Sequence, residues 1–365
     1  MANRLDRLRL GWTGWRNRLL AAPGFRRWAA RVAPLRPVAH RYARDLFDLS
    51  AGFIYSQITQ ALIESGLLAA LAERPHDEAG AARAAGLTPE AVRVLLRAGE
   101  PLALTERVGD LWTLGTRGAA MSTSPGVAEM IAHHRLLYAD LADPLAMLRG
   151  GGPGRLAALW RYDGTAEPAD TASYSALMAA SQPMVVEQAL AAYDFARHRH
   201  MLDIGGGLGA FAEAVCRATP GLSAAVFDLP PVAARAAARF AGLGLPIQAI
   251  PGSFTCDPLP GGHDLITLVR VAHDHDDAPV AALLTRIHAA LPPGGTLLIV
   301  EPLADVRSAP RVGASYFGFY LAAMRSGRPR SFAEYRAMAR AAGFASVRLR
   351  PTPLPLAASV IVIRR

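Results

Sequence analysis

The sequence predicts an α/β chain in which a doubly wound parallel sheet follows a mostly helical domain. Three observations lead there. His200–Phe211 reads as a strand, a glycine turn and the start of a helix, because the apolar run Met201–Ile204 meets Gly205, Gly206, Gly207 and Gly209. From Tyr193 onward, strand-length apolar runs alternate with helical stretches, as a parallel sheet requires. Before that point apolar residues recur at helical spacing, interrupted by one hairpin.

Taken in order, Asp45–Leu71 is expected as one helix, kinked at Gly66. Asp77–Ala85 and Pro89–Ala98 follow as short helices, the second capped by Thr88 with Pro89 in its first turn. Leu104–Leu114 reads as a hairpin turning at Gly109 and Asp110, so helix, turn, helix and hairpin make a winged helix. Pro125–Arg149 is helical and the glycines from Gly150 to Gly154 break it; Asp163–Pro168 is a loop and Tyr174–Tyr193 a helix. The expected strands are Met201–Ile204, Ser223–Phe227, Ile247–Ile250, Asp264–Val271 and Thr296–Val300, with Ser346–Leu349 and Ser359–Ile363 as a final antiparallel pair. Helices are expected at Ala210–Ala218, Pro279–Leu291 and Phe332–Ala342. The expected division is a basic arm at 1–44, a winged-helix domain at 45–150, a linker with a substrate-lining helix at 151–192, and a cofactor-binding catalytic domain at 193–365.

Across 365 residues, 52% hydrophobic and 19% charged composition excludes a disordered chain. No apolar run is long enough to span a bilayer, no signal-peptide pattern opens the chain, and Cys216 and Cys256 give neither a disulfide framework nor a metal spacing. These features suit a cytoplasmic protein. The net charge of +9 is concentrated: residues 1–44 hold eleven arginines against Asp6, leaving −1 for residues 45–365. Trp12, Trp15, Trp28 and several leucines share that arm, which suits peripheral contact with a membrane surface. Packing on the body or on a partner subunit remains the alternative. The lipid-like composition argues against nucleic acid, and Glu90–Ala98, with only Arg93 and Arg97, offers no base-reading pair.

The glycine spacing narrows the cofactor. Gly205-x-Gly207-x-Gly209 differs from the dinucleotide pattern, and Asp203 just before it would repel a pyrophosphate. A cationic cofactor such as S-adenosylmethionine tolerates an acid there. Asp228, ending the second strand, is placed to accept hydrogen bonds from ribose hydroxyls. His273 and Glu301 end what should be neighbouring strands, so His273 is the candidate general base and Glu301 its orienting partner. In Ala272–Asp277, consecutive acids and histidines cannot all converge on one ion, so no metal is expected. Asp274 is expected to cap the following turn.

These motifs resemble the caffeate-type O-methyltransferases. Leu202–Gly207 is similar to that family's cofactor motif, Phe227-Asp228-Leu229-Pro230 to its ribose motif, and Ala272–Asp277 to its catalytic L-H-D-W-x-D. The resemblance implies a Rossmann-like class I methyltransferase domain preceded by a winged-helix dimerisation domain, S-adenosylmethionine as methyl donor, a homodimer and no metal. It places Asp203, Gly205, Gly207, Gly209, Asp228, Ser253, Phe254 and Arg270 along the cofactor. Within the family, Phe47–Gln57, His133–Leu141, Tyr316–Tyr320 and Gly327–Arg330 resemble the bacterial carotenoid O-methyltransferases that act on demethylspheroidene-type hydroxycarotenoids. A phenolic or polyketide acceptor is the alternative. Tyr138, Met178, Phe317 and Met324 are expected to line the acceptor pocket. Three positions depart from the plant pattern: His275 replaces a tryptophan, Ser253 an adenine-binding acid, and Pro329 stands where a second catalytic glutamate is expected.

Overall fold

The computed structural model describes residues 3–124, 126–159 and 181–365, and the chain divides into two compact units, Met1–Ala120 and Met121–Arg365. In the first unit three helices, α1 (Arg4–Ala21), α2 (Pro23–Arg31) and α3 (Arg36–Glu64), precede α4 (Leu67–Glu73), α5 (Glu78–Ala85) and α6 (Pro89–Gly99). The single helix expected over 45–71 is therefore corrected. It begins at Arg36 and stops before Gly66, whose φ of 72° is a left-handed conformation that ends an α-helix. Asp77 and Thr88 cap α5 and α6 by accepting from Gly80 and Ala91 amides. Strands β1 (Thr105–Val108) and β2 (Leu111–Leu114) form the antiparallel hairpin, so helix, turn, helix and hairpin occur in the expected order. Leu62, Leu67, Leu71, Val92, Leu96 and Trp112 form its interior, each at 2% exposure or less. Along α1–α3 large apolar side chains stay in water instead, among them Trp12, Trp15, Trp28, Phe47, Leu49 and Phe53.

The second unit is built on a seven-stranded sheet. Its strands are β3 (His200–Ile204), β4 (Ser223–Asp228), β5 (Ile247–Pro251), β6 (Leu265–Val269), β7 (Thr296–Glu301), β8 (Ser346–Arg350) and β9 (Ser359–Arg364), in the order β5-β4-β3-β6-β7-β9-β8. β5 to β7 are parallel, while β9 and β8 add an antiparallel edge. The chain leaves β3 toward one edge and returns to β6 beside it, so the strand order reverses between β3 and β6. A crevice opens at the carboxyl ends of strands at such a reversal. Alternation divides the central side chains between two faces: Met201, Leu265, Leu298 and Val360 enter one core, and Leu202, Ile266, Leu297 and Ile361 the other. Each contributes roughly 1.5–3 kcal/mol on leaving water.

The first compact unit ends at Ala120, while the expected winged-helix domain ran to 150. Helices α7 (Val127–Leu141), α8 (Pro144–Leu148) and α9 (Arg155–Leu159) belong with the sheet unit, because Leu137, Met147 and Leu156 share a core with Tyr320, Leu321 and Met324. Periodicity identifies an apolar helix face but not the surface it docks on. Residues 181–192 are helical as expected, whereas Asp163–Pro168 and the start of the Tyr174 helix lie outside the described residues. Between β3 and β4 lies α10 (Ala210–Ala218); after β4 come α11 (Pro230–Phe240), α12 (Asp277–Ala290), α13 (Gly318–Met324) and α14 (Phe332–Ala341). The wide-turned Val312–Phe317 and α13 had no counterpart among the expected elements. Among the described residues, no helix is long and apolar enough to cross a membrane.

Candidate active site

At the tip of β3 the backbone shapes the site. Gly207 has φ 58° and open space where a Cβ would stand, and its amide donates to Asp228 Oδ2 at 2.8 Å. Asp228 Oδ1 accepts from the Leu229 amide at 2.7 Å, so the carboxylate is fixed at the end of β4 with lone pairs to spare. Burial pushes its pKa up, against the two amides that lower it. Gly209 has φ 74°, and a Cβ there would lie 2.2 Å from Phe240 Cζ; this glycine lets the turn close on α11.

Asp203 is enclosed beneath the glycine turn. Its side chain has no exposure and lies beneath the turn, where a Cβ on Gly206 would come within 2.6 Å of Oδ2. Oδ1 accepts from Thr267 on the adjacent strand at 2.6 Å, while Oδ2 has no hydrogen-bond partner among the described residues. Burial pushes the pKa to about 7, helped by Asp228. The acid braces the turn from below. Ser253 follows β5, where its amide donates to Asp257 at 2.8 Å, and the Phe254 ring meets His275 edge-on at 5.1 Å. Open backbone at Gly207, the Asp228 carboxylate and the unpartnered Asp203 oxygen fit an adenosine cofactor with a cationic end.

The loop after β6 is shaped by side chains. Arg270 adopts φ 57°, uncommon for a side-chain-bearing residue, and donates to Ser181 at 2.6 Å. It also lines the cavity beside His273. His273 is 6% exposed. Its Nε2 lies 3.0 Å from Asp274 Oδ1 and its Nδ1 3.7 Å from Glu301 Oε2. Burial lowers the imidazole pKa, but the Asp274 and Glu301 carboxylates more than offset this and hold it above the usual value. Asp274 is thus the carboxylate in hydrogen-bond reach, where a turn cap was expected. Glu301 works mainly on the backbone: Oε1 accepts from the amides of Val271 and His273 at 3.1 and 3.2 Å, and Oε2 accepts from Tyr335.

A segment more than fifty residues onward clasps this loop. Arg330 is fully buried and donates to the carbonyls of Ala272 and His275, both at 2.7 Å, and to Asp277 at 2.8 Å. Gly327, with φ 78°, packs so closely that a Cβ would fall 2.1 Å from the His273 carbonyl. Arg330, Tyr335 and Gly327 carry no motif of their own, although Gly327 and Arg330 fall in a stretch noted only for its family likeness. His275 is neutral in tendency because burial lowers its pKa. Among the described residues no cluster of His, Cys, Asp or Glu is arranged to hold a metal ion.

Beside His273 lies a cavity of about 320 Å³, at the small end of the range for ligand sites. Its walls are largely apolar, including Val127, Met130, Ile131, Met184 and Phe317, with His273, Asp274, Arg270 and Ser181 as polar members. Phe317 is on the wall, 5.8 Å from the His273 ring. Met324 is 3% exposed and packs in the core shared with α7. Tyr138 packs against His134 at 6.2 Å and does not line this cavity, and Met178 lies outside the described residues.

A glycine turn at a strand reversal, with a buried histidine at the next strand tip, is the arrangement of a cofactor-binding α/β enzyme. Comparison gives the particular family. The O-methyltransferase domain family matches residues 138–345. Demethylspheroidene O-methyltransferase of Cereibacter sphaeroides is 42% identical over 95% of this chain and 94% of its own length. The protein of the same name from Rhodobacter capsulatus is 41% identical, over 92% and 85%. Human N-acetylserotonin methyltransferase, solved in complex with S-adenosylmethionine, superposes with a TM-score of 0.72 at 27% identity, over 89% of this chain and 97% of that one. The chain belongs to the O-methyltransferase family. It is an S-adenosylmethionine-dependent O-methyltransferase.

Proposed function

We propose that this enzyme methylates the hydroxyl of a hydroxycarotenoid of the demethylspheroidene type, with His273 as general base. The relatives at 41–42% identity support the acceptor class. The observation that carries the reading is the His273 imidazole on the wall of an apolar cavity, 3.0 Å from one carboxylate and 3.7 Å from a second. Gly207, Asp228 and the Asp203-braced turn, with Ser253 and Phe254 after β5, hold the cofactor, which when bound supplies an electrophilic methyl group. The cavity wall excludes water and directs the acceptor hydroxyl to His273. An aliphatic alcohol is a weak nucleophile, so His273 removes its proton, and the imidazolium that results lies between Asp274 and Glu301. Arg330 and Gly327 keep the loop in that position. Asp274 supplies a second carboxylate at the base, although Pro329 supplies none.

The exposed apolar side chains of α1–α3 support two further parts of the proposal, a homodimer formed through the N-terminal unit and peripheral membrane contact through the arginine-rich residues 1–44. The test is a panel of hydroxycarotenoids and phenols incubated with labelled cofactor. Methylation confined to phenols would overturn the acceptor assignment and leave the family unchanged.

A further inference from the structure

α7 carries two adjacent histidines that the reaction above does not use. His133 Nε2 lies 2.9 Å from the Tyr320 hydroxyl, and His134 Nε2 lies 2.7 Å from the Tyr316 hydroxyl. Both tyrosines line the cavity beside His273, but neither histidine does, so the phenol oxygens are turned toward α7 and the rings toward the cavity. Burial pushes the His133 pKa down to about 4 and lowers that of His134, while it pushes the Tyr316 phenol up to about 12. Near neutral pH a protonated phenol therefore meets a neutral imidazole, and the phenol can donate to Nε2. One to two turns earlier on the same helix, Val127, Met130 and Ile131 line the cavity. Ser181 and Arg270 are bonded to each other. A hydroxyl on the body of an acceptor would leave water for a wall of rings and aliphatic groups, which is costly.

We propose that His133 and His134 determine acceptor specificity by drawing the hydroxyls of Tyr320 and Tyr316 out of the cavity, so that it selects an alcohol with a hydrocarbon body and a single reacting hydroxyl over a polyhydroxylated aromatic. The cavity of about 320 Å³ receives the hydroxyl-bearing end of such a molecule. This inference rests on the reading of the cavity as the acceptor site.

The test measures kcat and KM on the full chain with labelled cofactor, a hydroxycarotenoid, a long-chain terpenoid alcohol and a catechol. Replacing His133→Leu and His134→Leu together frees two hydroxyls and should raise KM for the apolar alcohols about tenfold or more while kcat changes little. Adding Tyr316→Phe and Tyr320→Phe to that variant should restore KM, a rescue that a merely structural role would not give. Failure of the rescue overturns the inference, as does a wild-type preference for the catechol. If the wild-type chain takes the terpenoid alcohol but no hydroxycarotenoid, the carotenoid reading falls, and the same variants still decide this one.

Discussion

The two strand tips that meet at the reversal of the sheet are built by opposite means. After β3 the main chain makes the site, with Gly207 and Gly209 in left-handed conformations and the Gly207 amide held by Asp228. After β6 the side chains make it: His273 is fixed by Asp274 and Glu301, and its loop by Arg330 from a distant segment. A backbone cradle suits a cofactor whose shape does not vary. A loop fastened by replaceable side chains and facing an apolar cavity can change acceptor without disturbing that cradle.

The largest break in this comparison is at the base. His273→Ala should lower kcat by a factor of about 10² to 10⁴ while the dissociation constant for S-adenosylmethionine, measured by calorimetry, stays nearly constant. Because the two carboxylates hold the imidazole pKa above its usual value, kcat should rise with pH through an acid limb displaced above the ordinary histidine range. The variant should lose that limb. Equal losses in kcat and cofactor affinity would mean that His273 belongs to the cradle.

Next comes the cradle itself. A Cβ at residue 209 would meet Phe240 and strain a φ of 74°, while one at residue 207 meets open space and strains only its φ of 58°. Gly209→Ala should therefore cost about 2–5 kcal/mol of stability, combining overpacking with left-handed strain, against about 1–2 kcal/mol for Gly207→Ala. Chemical denaturation measures both. Equal losses would remove the distinction between a glycine that packs and one that opens the cleft.

Arg330→Lys keeps the charge but loses the planar fork that reaches two carbonyls and Asp277 at once. A fall in kcat of about 10- to 100-fold is expected from a misplaced base, with cofactor affinity unchanged. If kcat holds, the loop is fixed by Gly327 and Glu301 without the arginine.

The same contrast explains what could be read in advance. The β3 tip is contiguous: Asp203, the glycines and, 25 residues on, Asp228 sit where a strand, a turn and the next strand must place them. Five parallel strands and an antiparallel edge were legible for the same reason. The clasp was not, because Arg330 and Asp277 are 53 residues apart and nothing in an arginine's local spacing names its partner. Periodicity also does not separate an apolar helix residue in a core, as Met324 is, from one on a cavity wall. The docking of α7 on α13 is likewise a tertiary choice that periodicity does not name.

Asp203 gives the smallest expected effect and the sharpest test of what lies beneath the turn. Its carboxyl has a pKa of about 7 in the folded chain, against an ordinary 3.8. The raised value means that folding favours the protonated acid, so its contribution to stability is complete below 3.8 and is lost as pH rises through 7. Between pH 6 and pH 8 the two titrations differ by one proton's worth of work over about one pH unit, or roughly 1.4 kcal/mol. Asp203→Asn cannot titrate, so wild type should lose about that much more stability than the variant across this interval, read by chemical denaturation without cofactor. His273 titrates in both chains and cancels from the difference. A saturating cationic cofactor should narrow the gap by favouring the ionised acid, if the charge is felt through the turn. Parallel pH profiles for the two chains would mean that Asp203 is ionised in the folded protein and that its unpartnered oxygen is compensated by another route.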